Sequence, residues 1–153
     1  ETTITTSKTS DNAWGIRLAK DNIKVTISGV DFVNDPANPC TIAIKDTGNA
    51  TLADGFEVKI DNCTFTGYGW GIQIFNGGDS SVTNCEFKCT NYDISVGSDT
   101  TGTMTGKMTV SGNVYSGNQY DIEAFTKGSS QTIDDILINK DNATVNCQAY
   151  PGT

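Results

Sequence analysis

Val58-Lys59-Ile60-Asp61-Asn62-Cys63-Thr64-Phe65, followed a few residues later by Trp70-Gly71-Ile72-Gln73-Ile74, is the stretch on which the fold turns. Both runs alternate with period two, so Val58 and Ile60 share one face, as do Trp70, Ile72 and Ile74. The second run recurs as Trp14-Gly15-Ile16-Arg17-Leu18, Cys40-Thr41-Ile42-Ala43-Ile44, Tyr92-Asp93-Ile94-Ser95-Val96 and Tyr120-Asp121-Ile122-Glu123-Ala124. These units start near 14, 40, 70, 92 and 120, at separations of 26, 30, 22 and 28 residues. Aligned in this way, the middle inward column reads Ile16, Ile42, Ile72, Ile94 and Ile122. A constant isoleucine at a loosely fixed period fits parallel strands stacked about 4.8 Å apart, whereas a helical repeat would show a 3.6-residue period.

The first run recurs too, as Val25–Phe32, Ser80–Phe87, Met108–Tyr115 and a decayed copy, Ile136–Ala143. Its inward columns are Ile27/Ile60/Val82/Val110/Ile138 and Phe32/Phe65/Phe87/Tyr115. Between them stand Gly29, Asn62, Asn84 and Gly112, residue types that tolerate positive φ, so a one-residue left-handed bend is predicted there. Stacked Asn62 and Asn84 could pass amide hydrogen bonds along the axis. Each rung then has three short strands, and the chain is predicted to be an all-β parallel β-helix, a single-stranded solenoid of about five rungs. From the Phe/Tyr column to the aromatic residue that opens the next unit is a constant five residues at three junctions (Phe65 to Trp70, Phe87 to Tyr92, Tyr115 to Tyr120); the first rung carries the insertion Asn34–Pro39. Variable Gly/Asn/Asp/Thr-rich stretches (Lys45–Gly55, Phe75–Asp79, Gly97–Gly106, Phe125–Thr132) read as loops on one flank, often the binding side of a solenoid.

The chain of 153 residues fits one domain, 1–153, and has 18 acidic against 10 basic residues, a formal charge of −8. Such a surface repels phosphate backbones, which argues against a nucleic-acid partner. No apolar run approaches the ~20 residues of a membrane span, so no membrane insertion is expected. The sequence begins at Glu1, which reads as a mature or excised segment, and neither Glu1–Ala13 nor Thr144–Thr153 has the pattern of a capping helix. Exposed terminal rungs then call for irregular caps or for a place within a longer protein. The Thr, Ser, Asn, Asp and Gly content suits an extracellular protein, secreted or on a cell surface. Histidine is absent, Arg17 is the only arginine, and the five cysteines (Cys40, Cys63, Cys85, Cys89, Cys147) include no CxxC, so a zinc site lacks its ligands.

The pattern Ile60-x-x-Asn62-Cys63-x-Phe65 followed by Gly71-Ile72 resembles the repeat of the pectate-lyase-like superfamily of right-handed parallel β-helices, in the form found in carbohydrate-active and bacterial surface proteins. The resemblance spans roughly residues 14 to 143. It implies the fold and its handedness, and says little about activity because the repeated residues are core residues. Pectin hydrolases of this fold combine Asn-Thr-Asp, Asp-Asp, Gly-His-Gly and Arg-Ile-Lys motifs; here only Asp134-Asp135 has a counterpart. Lyases of the fold use an Arg or Lys beside calcium-binding aspartates. Arg17 is read as facing outward in a column with Ala43 and Gln73, without carboxylates.

Asp93 and Asp121 fall in one outward column on adjacent rungs, with Glu123 on the same face. Three readings stand open: a solvated acidic face, an acid/base pair, or oxygen ligands that bracket a weakly bound calcium ion. The column Trp14/Trp70/Tyr92/Tyr120 could be a sugar-stacking platform, but its parity with the isoleucines favours rings that point inward or cover a corner. Phe75 and Phe125, one step beyond the inward run, are the better ligand-contacting residues, and they are expected on the same flank as the Asp93 cluster. Cys63 and Cys85 share an inward column and are expected to be adjacent, buried, free thiols. The leading functional expectation is a non-catalytic extracellular module, a binding or spacer domain that contacts a polysaccharide or cell-surface glycan. The alternatives are a reduced polysaccharide lyase or glycoside hydrolase relative, and a purely structural stalk.

Overall fold

The computed structural model describes residues 2–7, 14–19, 24–46, 57–75, 79–98 and 106–150. They form three sheets, and all pairings among the described strands are parallel. One sheet holds β1 (Thr2–Thr6), β4 (Val30–Asn34), β7 (Thr64–Thr66) and β10 (Glu86–Lys88). A second holds β2 (Trp14–Leu18), β5 (Ile42–Asp46), β8 (Trp70–Ile74), β11 (Tyr92–Gly97), β13 (Ile122–Lys127) and β15 (Val145–Tyr150). The third holds β3 (Lys24–Ser28), β6 (Glu57–Asp61), β9 (Ser80–Thr83), β12 (Met108–Ser111) and β14 (Leu137–Asn139). From β3 to β11 the chain visits the five-, four- and six-stranded sheets in constant cyclic order, which fits a three-faced β-helix. Among the described residues the only helical element is a 3-10 turn, Ile133–Asp135.

The core follows the repeat. Phe32, Phe65 and Phe87 pair in register, with ring centroids 5.0 and 5.1 Å apart, and Tyr115 extends the stack at 6.1 Å. Ile44, Ile72, Ile94 and Ile122 are fully buried, while Ile16 on the edge strand β2 is half-buried. Each such side chain removed from water contributes about 1.5–3 kcal/mol, so the two columns are the main source of stability. Gly29, Asn62, Asn84 and Gly112 have φ of 67°, 52°, 53° and 69°, the left-handed bend read from the sequence.

Three features depart from the sequence reading. In the second rung Ile44, not Ile42, pairs with Ile16 and Ile72, and Ile42 stands between Trp14 and Trp70. The cause is Asn34: its Oδ1 accepts from Cys40 N–H at 2.8 Å, and its Nδ2 donates to Cys40 O at 2.7 Å, so Cys40 is held in the corner and the strand starts two residues later. The outward column therefore reads Arg17, Lys45, Gln73, Ser95, Glu123 rather than Arg17, Ala43, Gln73. In the last copy a register shift sets Met108 against Leu137 and Thr109 against Asn139, so Ile138 is squeezed outward and is 62% exposed instead of continuing the Val110 column. Asp141 takes the positive φ of the bend there, at 50°. Finally, both end segments add strands: β1 pairs with β4, secured by Thr6 Oγ1 and Tyr68 OH at 2.6 Å, and β15 pairs with β13. Most of the loops read at Lys45–Gly55, Phe75–Asp79 and Gly97–Gly106 lie outside the described residues.

Candidate functional site

The side chains of the six-stranded sheet line up by register. Arg17 pairs with Lys45, Lys45 with Gln73, Gln73 with Ser95 and Ser95 with Glu123. Lys45 donates to Gln73, and Ser95 Oγ donates to Glu123 at 2.8 Å. Aromatic rings run beside this column. Arg17 Cζ lies 5.2 Å from the centroid of the Trp14 ring, and Lys45 Nζ lies 5.7 Å from the same ring and 5.5 Å from that of Phe75. Phe75 meets Phe125 edge-to-face at 5.6 Å, and Phe125 meets Tyr150 in the same way at 5.4 Å. Gly97 makes the Phe75–Phe125 contact possible: it pairs with Phe125 on the intervening strand β11 and puts no side chain between the rings. Its φ of 127° and the 2.0 Å that a Cβ would leave to Phe125 O restrict the position to glycine.

The result is a continuous stripe, Arg17–Trp14–Lys45–Phe75–Phe125–Tyr150, that crosses the sheet from β2 to β15. Phe75 and Phe125, the ligand-contacting residues expected from the sequence, are thus brought together, both half-buried. Lys45 and Tyr150 are additions that the sequence reading missed, the first through the displaced second rung and the second because β15 was not recognised as a strand. Trp14 also departs from the inward reading, since its ring meets the outward Arg17 and Lys45. Further along its column, Tyr92 OH accepts from Asn146 Nδ2 at 3.0 Å, and Tyr92 and Tyr120 line a small cleft of about 170 Å³ with Asn91, Asn118 and Gln119.

The acidic residues are arranged differently. Asp93 is fully buried and Asp121 is 6% exposed, so neither belongs to a solvated face. Ser116 donates its N–H and Oγ–H to Asp93 at 2.7 and 2.5 Å, and Thr144 donates both groups to Asp121 Oδ2 at 2.8 Å. Each carboxylate therefore ties a strand of the six-stranded sheet to the corner of the next rung. Burial pushes the Asp93 carboxyl above its ordinary value, and the Ser116 hydrogen bonds only partly offset this. Glu123 stands apart in the Arg17 column and accepts from Ser95. Asp93 is at the start of β11 and Gly97 at its end, so the acidic pair and the Phe75–Phe125 pair occupy opposite ends of the strands, not one flank. Among the described residues, no three His, Cys, Asp or Glu side chains come together in a way that could hold a metal ion.

Two further carboxylates are taken up locally. Lys59 pairs with Glu57 at 2.6 Å rather than with Asp61, whose Oδ1 accepts from Thr83 and Asn84 at 2.7 and 2.9 Å. Asp135, at the end of the 3-10 turn, accepts from Thr132 N–H and Oγ1–H at 2.7 and 2.9 Å, which fastens the turn.

All five cysteines are free thiols, and Cys63 and Cys85 are each 1% exposed. At the left-handed bend, between the five- and four-stranded sheets, a groove of about 470 Å³ is lined by Gly29, Asp31, Asn62, Cys63, Thr64, Asn84 and Glu86. Cys63 Sγ lies 3.3 Å from Asp61 O and Cys85 Sγ 3.2 Å from Thr83 O, and the neighbouring Cys85 thiol, against the opposing effect of burial and with help from backbone groups of Val30, Asp61 and Gly29, brings the Cys63 thiol down to about 7. The same contact and burial push Cys85 far up. No protein-family model, curated protein or solved structure matches the chain.

Proposed function

We propose that the chain is a non-catalytic glycan-binding module, built as a right-handed three-faced β-helix of the kind its repeat resembles, and that it works outside the cell. The observation that carries this reading is the Arg17–Trp14–Lys45–Phe75–Phe125–Tyr150 stripe. Aromatic rings offer flat apolar surfaces for the C–H faces of sugar rings. Strands about 4.8 Å apart present such contacts in series along an extended polymer. Arg17 and Lys45 at one end suit a carboxylate or another acidic substituent on that polymer, which gives the face a direction. Gln73 and Ser95 lie along the same column as hydrogen-bonding groups.

The absence of histidine and the register of Arg17 beside Lys45, in a column whose nearer described members Lys45, Gln73 and Ser95 are not carboxylates, support a binding role over turnover. A glycan array probed with the purified chain tests the reading. Binding to a subset of extended glycans is expected, with tryptophan fluorescence changing on titration with the best ligand and much less so in Trp14→Phe. An array without binders would favour a structural stalk, and release of reducing ends or unsaturated products from pectin or alginate would favour the enzyme reading.

A further inference from the structure

We propose that Cys63 and Cys85 form a dithiol site that exchanges with small disulfides entering through the groove at the left-handed bend. The two residues are brought together by register. Thr64 pairs with Glu86 and Phe65 with Phe87, so Cys63 and Cys85, one position earlier, face each other on adjacent rungs. The Glu86 N–H to Cys63 O hydrogen bond, 2.9 Å, locks that pairing. A strand separation of about 4.8 Å lies within the Cα range of disulfides, about 4.4–6.8 Å, and the Cβ atoms need approach by only about 0.5–1 Å for the pair to close. The neighbours in the column are Val30 and Asn113, which leaves these two sulfurs as an isolated pair.

The site is asymmetric. Cys63 forms part of the groove wall and Cys85 does not. Burial and the neighbouring thiol push Cys85 up while Cys63 is brought down, which makes Cys63 the more readily ionised and better nucleophile of the two. The groove therefore delivers a disulfide to the nucleophilic member, with the second thiol directly behind it. The Cys63 thiolate attacks one sulfur of R–S–S–R; an S–S bond forms to Cys63 and the first R–S⁻ leaves. Cys85 passes its proton to that thiolate, attacks the Cys63 sulfur and expels the second R–S⁻, which takes a proton from water. The two cysteine thiols are oxidised to one disulfide, and the small disulfide is reduced to two thiols. The remaining cysteines lack this arrangement: Cys40 and Cys89 do not line the groove, burial and Asp93 push the Cys89 thiol up, and Cys147 is exposed on the edge strand β15.

The test uses the full chain with Cys147→Ser, which removes the exposed thiol, incubated natively with oxidised glutathione and mapped by peptide mass spectrometry. A Cys63–Cys85 cross-link is expected. With Cys85→Ala added, glutathione should remain on Cys63, and Cys40 and Cys89 should react at least about tenfold more slowly. Modification of Cys40 or Cys89 as fast as Cys63, or no modification until the chain is denatured, would overturn the proposal. If Cys85→Ala does not fold, the Cys147→Ser chain decides alone: the cross-link supports the dithiol site and its absence rejects it.

Discussion

Asp93 shows how one buried side chain joins two rungs and at the same time makes the fold sensitive to pH. Its carboxylate accepts the N–H and hydroxyl of Ser116, 23 residues along the chain, while burial and the nearby Asp121 favour the protonated form. The folded-state value is therefore raised above the ordinary 3.8. The folded chain binds the extra proton in the window just above 3.8, so this contribution is fully present below that value and is lost as pH rises through the folded value. Asp93→Asn keeps the shape and removes the titration. The parent should gain stability relative to Asp93→Asn as pH falls towards 4, measured by chemical denaturation at a series of pH values. A flat difference would mean that the Ser116 hydrogen bonds balance burial, and one that grows as pH rises that they outweigh it. None of this was legible beforehand: period two places Asp93 on the outward side, and only the fold of the next rung brings Ser116 over it.

The elements divide into those whose determinants are local and those set by a neighbouring rung. Bends are local. Gly29, Asn62, Asn84 and Gly112 all have positive φ, and their residue types alone announced it. Asn84 has a second role, since its Nδ2 donates to Asp61 at 2.9 Å. Asn84→Gly keeps the backbone conformation and loses that solvent-exposed bond, a small cost. Asn84→Ala loses both and should be a further 1–2 kcal/mol or so less stable. Equal stability of the two variants would show that the bend makes no demand on residue 84. Register, by contrast, is not local. Alternation with period two is unchanged by a shift of two, so Ile42 and Ile44 fit the isoleucine column equally well until Asn34 holds Cys40 in the corner. With Ile42 in the Trp14 column, the unit separations become 28, 28, 22 and 28, more regular than the uncorrected set. Ile138 fails for a related reason, because a register shift between neighbours is invisible in either strand alone.

At the scale of the whole molecule, three parallel sheets share one core of stacked rings and aliphatic columns and leave outward columns free to vary. The Phe75–Phe125 pair was legible as two residues just beyond the inward run; the full stripe was not, because it needs the corrected second rung for Lys45 and the added strand β15 for Tyr150. In a chain with net charge −8, Arg17 and Lys45 sit next to each other at one end of that stripe. Binding of an acidic glycan there should weaken as salt is raised through physiological strength, where the screening length is about 8 Å, and binding of a neutral one should not. The most direct measurement is calorimetric titration of the parent chain and Phe125→Ala with the best array ligand, with product formation followed in the same samples. Phe125 is half-buried between two rings, so its truncation removes the stacking surface at the centre of the aromatic run. The expected result is binding by the parent, affinity lower by about tenfold or more in a Phe125→Ala chain that keeps its fold by circular dichroism, and no product from either. Unchanged affinity in Phe125→Ala, or sustained turnover by the parent, would contradict a non-catalytic glycan-binding face.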